Sequence, residues 1–279
     1  MIPILYAGNR RMFDGLLISV ISAAARSAQP LDITLLTMDL REVSPDYLPL
    51  TENQRQYLER LCDRRCPGSR VTLIDVGDLY RAALADSPNT ETGYTPYCFL
   101  RLFADRLPLP DKLLYLDADT VIAGDLLPLF QTDVSGVEYA AVLDHYGRFF
   151  MGYHYINSGV MLLNLKRIRE TGLFRRAVAL CAEKRLFLPD QTALHRLTQD
   201  KLLLPVRYNE QKHYDRADTV IQHFCKTILW LPVFHTRTVK PWEPQRVHDL
   251  LTDRYDAVLS EYLCHKKLYE EEYPDECYA

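Results

Sequence analysis

A chain of 279 residues, 48% hydrophobic and 25% charged, has room for one large domain or two small ones, and its composition excludes disordered and collagen-like classes. The formal net charge of −4 lacks the basic excess of a nucleic-acid footprint, so no nucleic-acid partner is expected. In chain order, residues 2–7 form an apolar run that reads as a buried strand. Asp14 then stands as the N-cap of a helix through LLISVISAAA. Residues 31–38 read as a second strand, Thr51 with Gln54 as a capping box opening a helix toward Cys62, and residues 70–76 as a third strand. Residues 98–106 read as a helix entered through Thr95 and Pro96. Strands are expected at 112–117, 138–143 and 159–165, and a helix at 166–184. Beyond residue 200 the pattern weakens to a strand at 230–235 and a helix at 245–263. Strand and helix alternate as in an α/β fold with a mainly parallel central sheet flanked by helices. No linker or composition break appears, so residues 1–265 read as one domain and residues 266–279 as an acidic, flexible tail.

Seven cysteines, an odd number scattered from Cys62 to Cys277, do not make a dense secreted framework and read as reduced thiols. The opening MIPILYAGNRR lacks the charged and long apolar regions of a secretion signal. No apolar run approaches the ~20 residues of a membrane span. A soluble, cytoplasmic protein with no membrane span is the expectation.

The chemistry concentrates at Asp117-Ala118-Asp119, which closes the apolar run LLYL. In a strand, residues i and i+2 share a face, and the carboxyl ends of α/β strands open on the ligand crevice. Two carboxylates placed together repel unless a cation neutralises them, and hard divalent ions take oxygen ligands. Three further segments carry reactive or polar groups: YINSGVMLLNL around Asn157, LPDQTAL with Asp190 and Gln191 at a helix start, and FHTRTVKPW with His235, Lys240 and Trp242.

Taken in this order, the D-x-D strand, the N-x-G strand, the D-Q helix start and the late H-x-x-x-x-K-P-W resemble the family 8 glycosyltransferases. These are retaining enzymes of the GT-A fold that use nucleotide sugars, and they include bacterial lipopolysaccharide galactosyl- and glucosyltransferases. The resemblance covers about residues 2–250. It implies a hexosyltransferase that moves glucose or galactose from a UDP-sugar to a glycan, glycolipid or other hydroxyl acceptor. It implies Asp117, Asp119 and His235 as ligands of Mn²⁺, or of Mg²⁺ in its place; adding an imidazole to two carboxylates favours Mn²⁺. It places Lys240 at the diphosphate, Arg101 at the donor sugar and phosphate, and Asp144 and Asn157 along the sugar pocket. Asp190 is implied to bind donor-sugar hydroxyls and Gln191 to lie near the anomeric carbon, the two forming the catalytic pair. Ala118 lies between the two metal carboxylates within the donor site, and Tyr6, Ala7 and Asn9 match the uridine-binding segment.

Gln191 is an amide and a poor nucleophile, which favours same-face attack over double displacement. Three departures from the family pattern stand out. AGNRR replaces an acidic first loop, the late motif is one residue short and lacks its glycine, and Thr192 follows D-Q where an acid is common. Two alternatives have their own signals. LLYLDADTVI fits the nucleophile motif of haloacid-dehalogenase-type phosphatases, and the altered loops suit a nucleotide-sugar-binding protein that has lost turnover.

Overall fold

A computed structural model describes residues 1–90, 94–229 and 235–276. The elements run β1 (Ile2–Ala7), α1 (Phe13–Arg26), β2 (Leu31–Thr37), α2 (Glu52–Arg65), β3 (Arg70–Asp75) and α3 (Gly77–Leu84). A 3-10 winding at Pro96–Arg106 precedes β4 (Lys112–Leu116), β5 (Thr120–Ile122), α4 (Leu127–Gln131), β6 (Tyr139–Leu143) and α5 (Gly147–Phe150). Then come β7 (Ile156–Asn164), α6 (Leu165–Thr171), α7 (Leu173–Glu183), α8 (Pro189–Leu197) and β8 (Lys201–Leu203). The last elements are β9 (Ile221–His223), β10 (Thr227–Leu229), β11 (His235–Arg237), α9 (Pro244–Leu250) and α10 (Asp256–Glu272).

Seven strands form one sheet in the order β3-β2-β1-β4-β7-β6-β8. Pairing is parallel from β3 through β4; β7 runs antiparallel to both neighbours, and β6 and β8 are parallel to each other. The sheet is therefore mainly parallel and flanked by helices, as the alternation of elements predicts. Strands buried on both faces explain the unbroken apolar runs of β1 and β4. One core lies between the sheet and α1, α2 and α10; the other lies against the 3-10 winding, α7 and α8. Thr51 and Gln54 form the predicted capping box at the start of α2.

Several boundaries differ from expectation. Asp14 does not cap α1 but sits inside its first turn and pairs with Lys266 at 2.7 Å. The helix expected over 166–184 is two helices, because Gly172 takes a left-handed φ of +66° between them. The helix expected over 245–263 is also two, α9 and α10. Of the strand expected at 230–235, residues 230–234 lie outside the described residues, and His235 begins β11. The domain boundary expected after residue 265 falls inside α10. The segment expected to be a flexible tail continues that helix to Glu272, with Tyr269 buried on its inner side. Beyond it, Glu276 accepts hydrogen bonds from Thr51, Asn53 and Tyr269, so its carboxylate is fastened at the N-terminus of α2.

Among the described residues, no helix is long and apolar enough to cross a membrane. Six described cysteines are free thiols.

Candidate active site

The site lies at the carboxyl end of β4. There the chain turns through Asp117 and Asp119 into β5, and β5 pairs antiparallel with β9, setting Thr120 opposite His223. This pairing delivers an imidazole to the two carboxylates. His223 Nε2 lies 3.1 Å from Asp119 and 3.8 Å from Asp117. The ligand atoms of Asp117, Asp119 and His223 all fall within 4.8 Å of one another. Two carboxylate oxygens and an imidazole nitrogen suit a divalent ion of the Mn²⁺ type. The approach is close enough that glycine is required at 159: a Cβ there would stand 2.1 Å from His223 Cε1 and 2.7 Å from Asp117 Oδ2.

Lys240 donates to the second oxygen of Asp119 and, at 2.9 Å, to the Phe224 carbonyl. Burial works against the charged form of Asp119, yet Lys240 and His223 hold its carboxyl far below the ordinary carboxylate range. Burial alone would depress His223, but neighbouring Cys225 and Asp119 raise it well above the usual histidine value. Because burial also pushes the Cys225 thiol up, that thiol stays neutral, and Asp119 carries the electrostatic stabilisation. Without a bound cation Asp119 is thus neutralised by an ammonium and an imidazolium.

The adjoining half of the site is a hydrogen-bonded network. Gln191, in the first turn of α8, accepts the Ser158 backbone N–H at 2.9 Å and donates to Asp144 at 3.2 Å. Asn157 also donates to Asp144, at 3.1 Å. The other oxygen of Asp144 accepts the N–H groups of Tyr146 and Gly147, which ties the α5 loop to the same carboxylate. Asp190 accepts from the Ser158 hydroxyl, and burial raises its pKa despite the nearby Arg101. Leu188, two residues before Asp190, has φ of +47°, a costly conformation for leucine at the entry to the helix that carries the pair.

Arg101 joins the two halves. It is 4% exposed, donates to Asp117 at 3.0 Å, pairs with Asp190 at 3.3 Å and stacks over Tyr115. Its Nε, which faces Asp190, also donates to the Cys98 carbonyl, and its Nη1 donates to the Ser158 carbonyl. The side chain expected at donor sugar and phosphate is therefore a strut between two carboxylates.

The structure brings together Asp117, Ala118, Asp119, Asp144, Asn157, Asp190, Gln191, Arg101 and Lys240. It does not bring His235 into the carboxylate cluster: that residue lies exposed on β11, where it pairs with Leu229 of β10. The histidine beside the carboxylates is His223, and β10 and β11 lie between it and Lys240 in the chain. The late motif, counted back from Lys240 to His235, ends on a histidine outside the carboxylate cluster. Tyr6 likewise faces the core, fully buried, with its hydroxyl on Ser19 at 2.9 Å. Ala7 ends β1, and Asn9 follows it, 5% exposed. Sequence reasoning also missed Asn209, whose Oδ1 lies 3.1 Å from His223 Nδ1.

Comparison with known proteins gives the family. The model of the family described as glycosyl transferase family 8 matches residues 19–245. The chain belongs to glycosyl transferase family 8. Within it, the probable glycosyl transferase Gly of Streptococcus gordonii is 30% identical over 131 residues, 46% of this chain and 19% of that protein. The lipopolysaccharide glucosyltransferase WaaO of Escherichia coli K12 is 25% identical over 210 residues, 68% of this chain and 60% of that protein. The matches thus span less than two thirds of these relatives' own length. The galactosyltransferase LgtC, solved with donor and acceptor sugar analogues, superposes with a TM-score of 0.69 at 20% identity, covering 99% of this chain and 100% of that one. The family 8 chain described here accordingly has the GT-A fold.

Proposed function

We propose that the chain is a retaining hexosyltransferase, moving glucose or galactose from a UDP-sugar to a hydroxyl of a glycan or glycolipid with Mn²⁺, in the cytoplasm. The observation that carries this reading is the cluster of Asp117, Asp119 and His223, with Lys240 on the same carboxylate and the Asp190–Gln191 helix start beside it. Asp117, Asp119 and His223 would hold the metal. A bound divalent cation supplies positive charge where the diphosphate leaves.

The chain's own groups do the rest. Lys240 supplies an ammonium at the leaving oxygens. Asp144 and Asn157 line the sugar pocket, and Asp190 accepts from sugar hydroxyls. Gln191 cannot serve as a nucleophile beneath the anomeric carbon, and Asp190 is engaged by Arg101 and Ser158. Both facts support same-face attack, in which the departing phosphate oxygen takes the acceptor's proton and the new bond forms on the side the phosphate left. Ala7 and Asn9 are assigned to the uridine end.

The test is a panel of UDP-sugars with and without Mn²⁺, scored for UDP release and for protection against thermal unfolding. One UDP-hexose hydrolysed only with Mn²⁺ is the expected result. Protection by UDP and Mn²⁺ without release would identify a binding protein instead. Phosphate release from p-nitrophenyl phosphate, with UDP-sugars untouched, would identify a phosphatase.

A further inference from the structure

The fully buried amide of Asn209 sits directly behind His223 and belongs to none of the motifs. Its Oδ1 lies 3.1 Å from His223 Nδ1, and its Nδ2 donates to Asn157 Oδ1 at 2.9 Å. Amide orientations and imidazole tautomers follow from their partners, and here one partner has a single possible role. The backbone N–H of Gly159 can only donate, and it does so to Asn157 Oδ1 at 3.0 Å. That makes the Asn157 atom an oxygen and turns its NH₂ toward the Asp144 carboxylate, as observed. The second lone pair of the same oxygen takes the Asn209 NH₂. Asn209 must then present its oxygen to the imidazole, so His223 Nδ1 carries a hydrogen. The nitrogen left to face Asp117 and Asp119 is Nε2.

We propose that Asn209 is a positioning residue for the metal centre, keeping a hydrogen on His223 Nδ1 so that Nε2 is the nitrogen whose lone pair is aimed between the two carboxylates once a metal takes the place of its proton. Through Asn157 the same amide connects the imidazole to Asp144, and hence to Gln191. The inference rests on the reading of Asp117, Asp119 and His223 as metal ligands. Partners of this kind behind a ligating histidine fix its ring orientation, and their loss weakens metal affinity by about 10–100-fold.

The experiment measures Mn²⁺ affinity in the presence of UDP, from the EPR signal of free Mn²⁺, for the wild-type chain and for Asn209→Ala, Asn209→Asp and His223→Ala. Thermal unfolding accompanies each variant. Asn209→Ala should bind Mn²⁺ about 10–100-fold more weakly than wild type. Asn209→Asp loses the donor to Asn157 Oδ1 but keeps an acceptor for the Nδ1 hydrogen, and should bind Mn²⁺ more tightly than Asn209→Ala, the carboxylate–histidine–metal arrangement being a common one. A purely structural role predicts the opposite order, because the buried charge of Asn209→Asp disturbs the fold more than the small cavity of Asn209→Ala. That opposite order would overturn the proposal, as would wild-type affinity in Asn209→Ala.

If wild type itself binds no Mn²⁺, the metal reading fails and this inference with it. If wild type binds and His223→Ala does not, the metal reading stands whatever the Asn209 variants do. A measurement on the unmutated chain covers variants that do not fold: ¹⁵N NMR of the Mg²⁺-loaded protein should show His223 protonated at Nδ1. Protonation at Nε2 would overturn the proposal.

Discussion

The two halves of the site are built on different physics. At the Asp117–Asp119 end, the two carboxylates are held among cationic groups, Arg101 on Asp117 and Lys240 and His223 on Asp119. At the Asp144 end, Asp144, Asn157, Ser158 and Gln191 are held by directional hydrogen bonds between neutral groups and the Asp144 carboxylate. The first arrangement is tuned by charge and responds to pH and to cations. The second is tuned by shape and responds to loss of a single donor or acceptor.

The largest expected effect comes from the residue that spans both halves. Arg101→Met leaves buried Asp190 and the inner oxygen of Asp117 without their guanidinium and should cost about 3–5 kcal/mol, read from chemical denaturation. Recovery of wild-type stability would show that the halves are independently stable. Next is Gly159→Ala, whose methyl collides with His223 and Asp117. It should cost about 1–3 kcal/mol and abolish Mn²⁺ binding while leaving the Asp144 network in place.

Gln191→Ala should do the reverse, leaving Mn²⁺ affinity near wild type and lowering turnover at saturating donor and acceptor by about tenfold or more. Near-full turnover would remove Gln191 from the transition state. The smallest effect is a pH trend. The folded-state pKa of His223 is raised, so its contribution to stability is full below the unfolded value of about 6.5 and is lost as pH rises through the folded value. The metal-free protein should therefore lose on the order of 2–4 °C in Tm as pH rises from the unfolded value through the folded one, and His223→Gln should flatten the trend. Asp119 works at the other end of the scale: its depressed pKa keeps its contribution intact above about pH 4, with loss only in stronger acid. Mn²⁺ affinity should rise with pH in the same window in which His223 gives up its proton.

The parallel half of the sheet was readable because buried strands leave long apolar runs and the capping box at Thr51 marks a helix start unambiguously. Asp117, Asp119, Asp190 and Gln191 were readable because strand ends and helix starts are where α/β folds present polar groups. His223 was missed for a physical reason. Spacing to Lys-Pro-Trp picks the histidine nearest in sequence, whereas β10 and β11 separate Lys240 from the one nearest in space. A signal was present in Ile221-Gln222-His223-Phe224, a short strand suited to pairing with the segment after the D-x-D turn. Asn209 left no signal, since it follows a 3-10 turn at Val206–Tyr208 with no periodic pattern. The end of the chain misled because acids such as Glu270 and Glu271 are solvated on the outer side of α10, while composition says nothing of Tyr269 beneath them.

The pair of strands β10 and β11 is clamped at its base on both sides, because His223 before it and Lys240 after it reach the same Asp119 carboxylate. The chain between is then a closed loop, and the entropy of closing a loop grows only logarithmically with length, about 0.6 kcal/mol for each doubling. Additions or deletions in the span between the clamps would tax folding lightly and leave the ligand set alone. That makes this stretch a place where such a scaffold can change length while His223 and Lys240 keep their hold on Asp119.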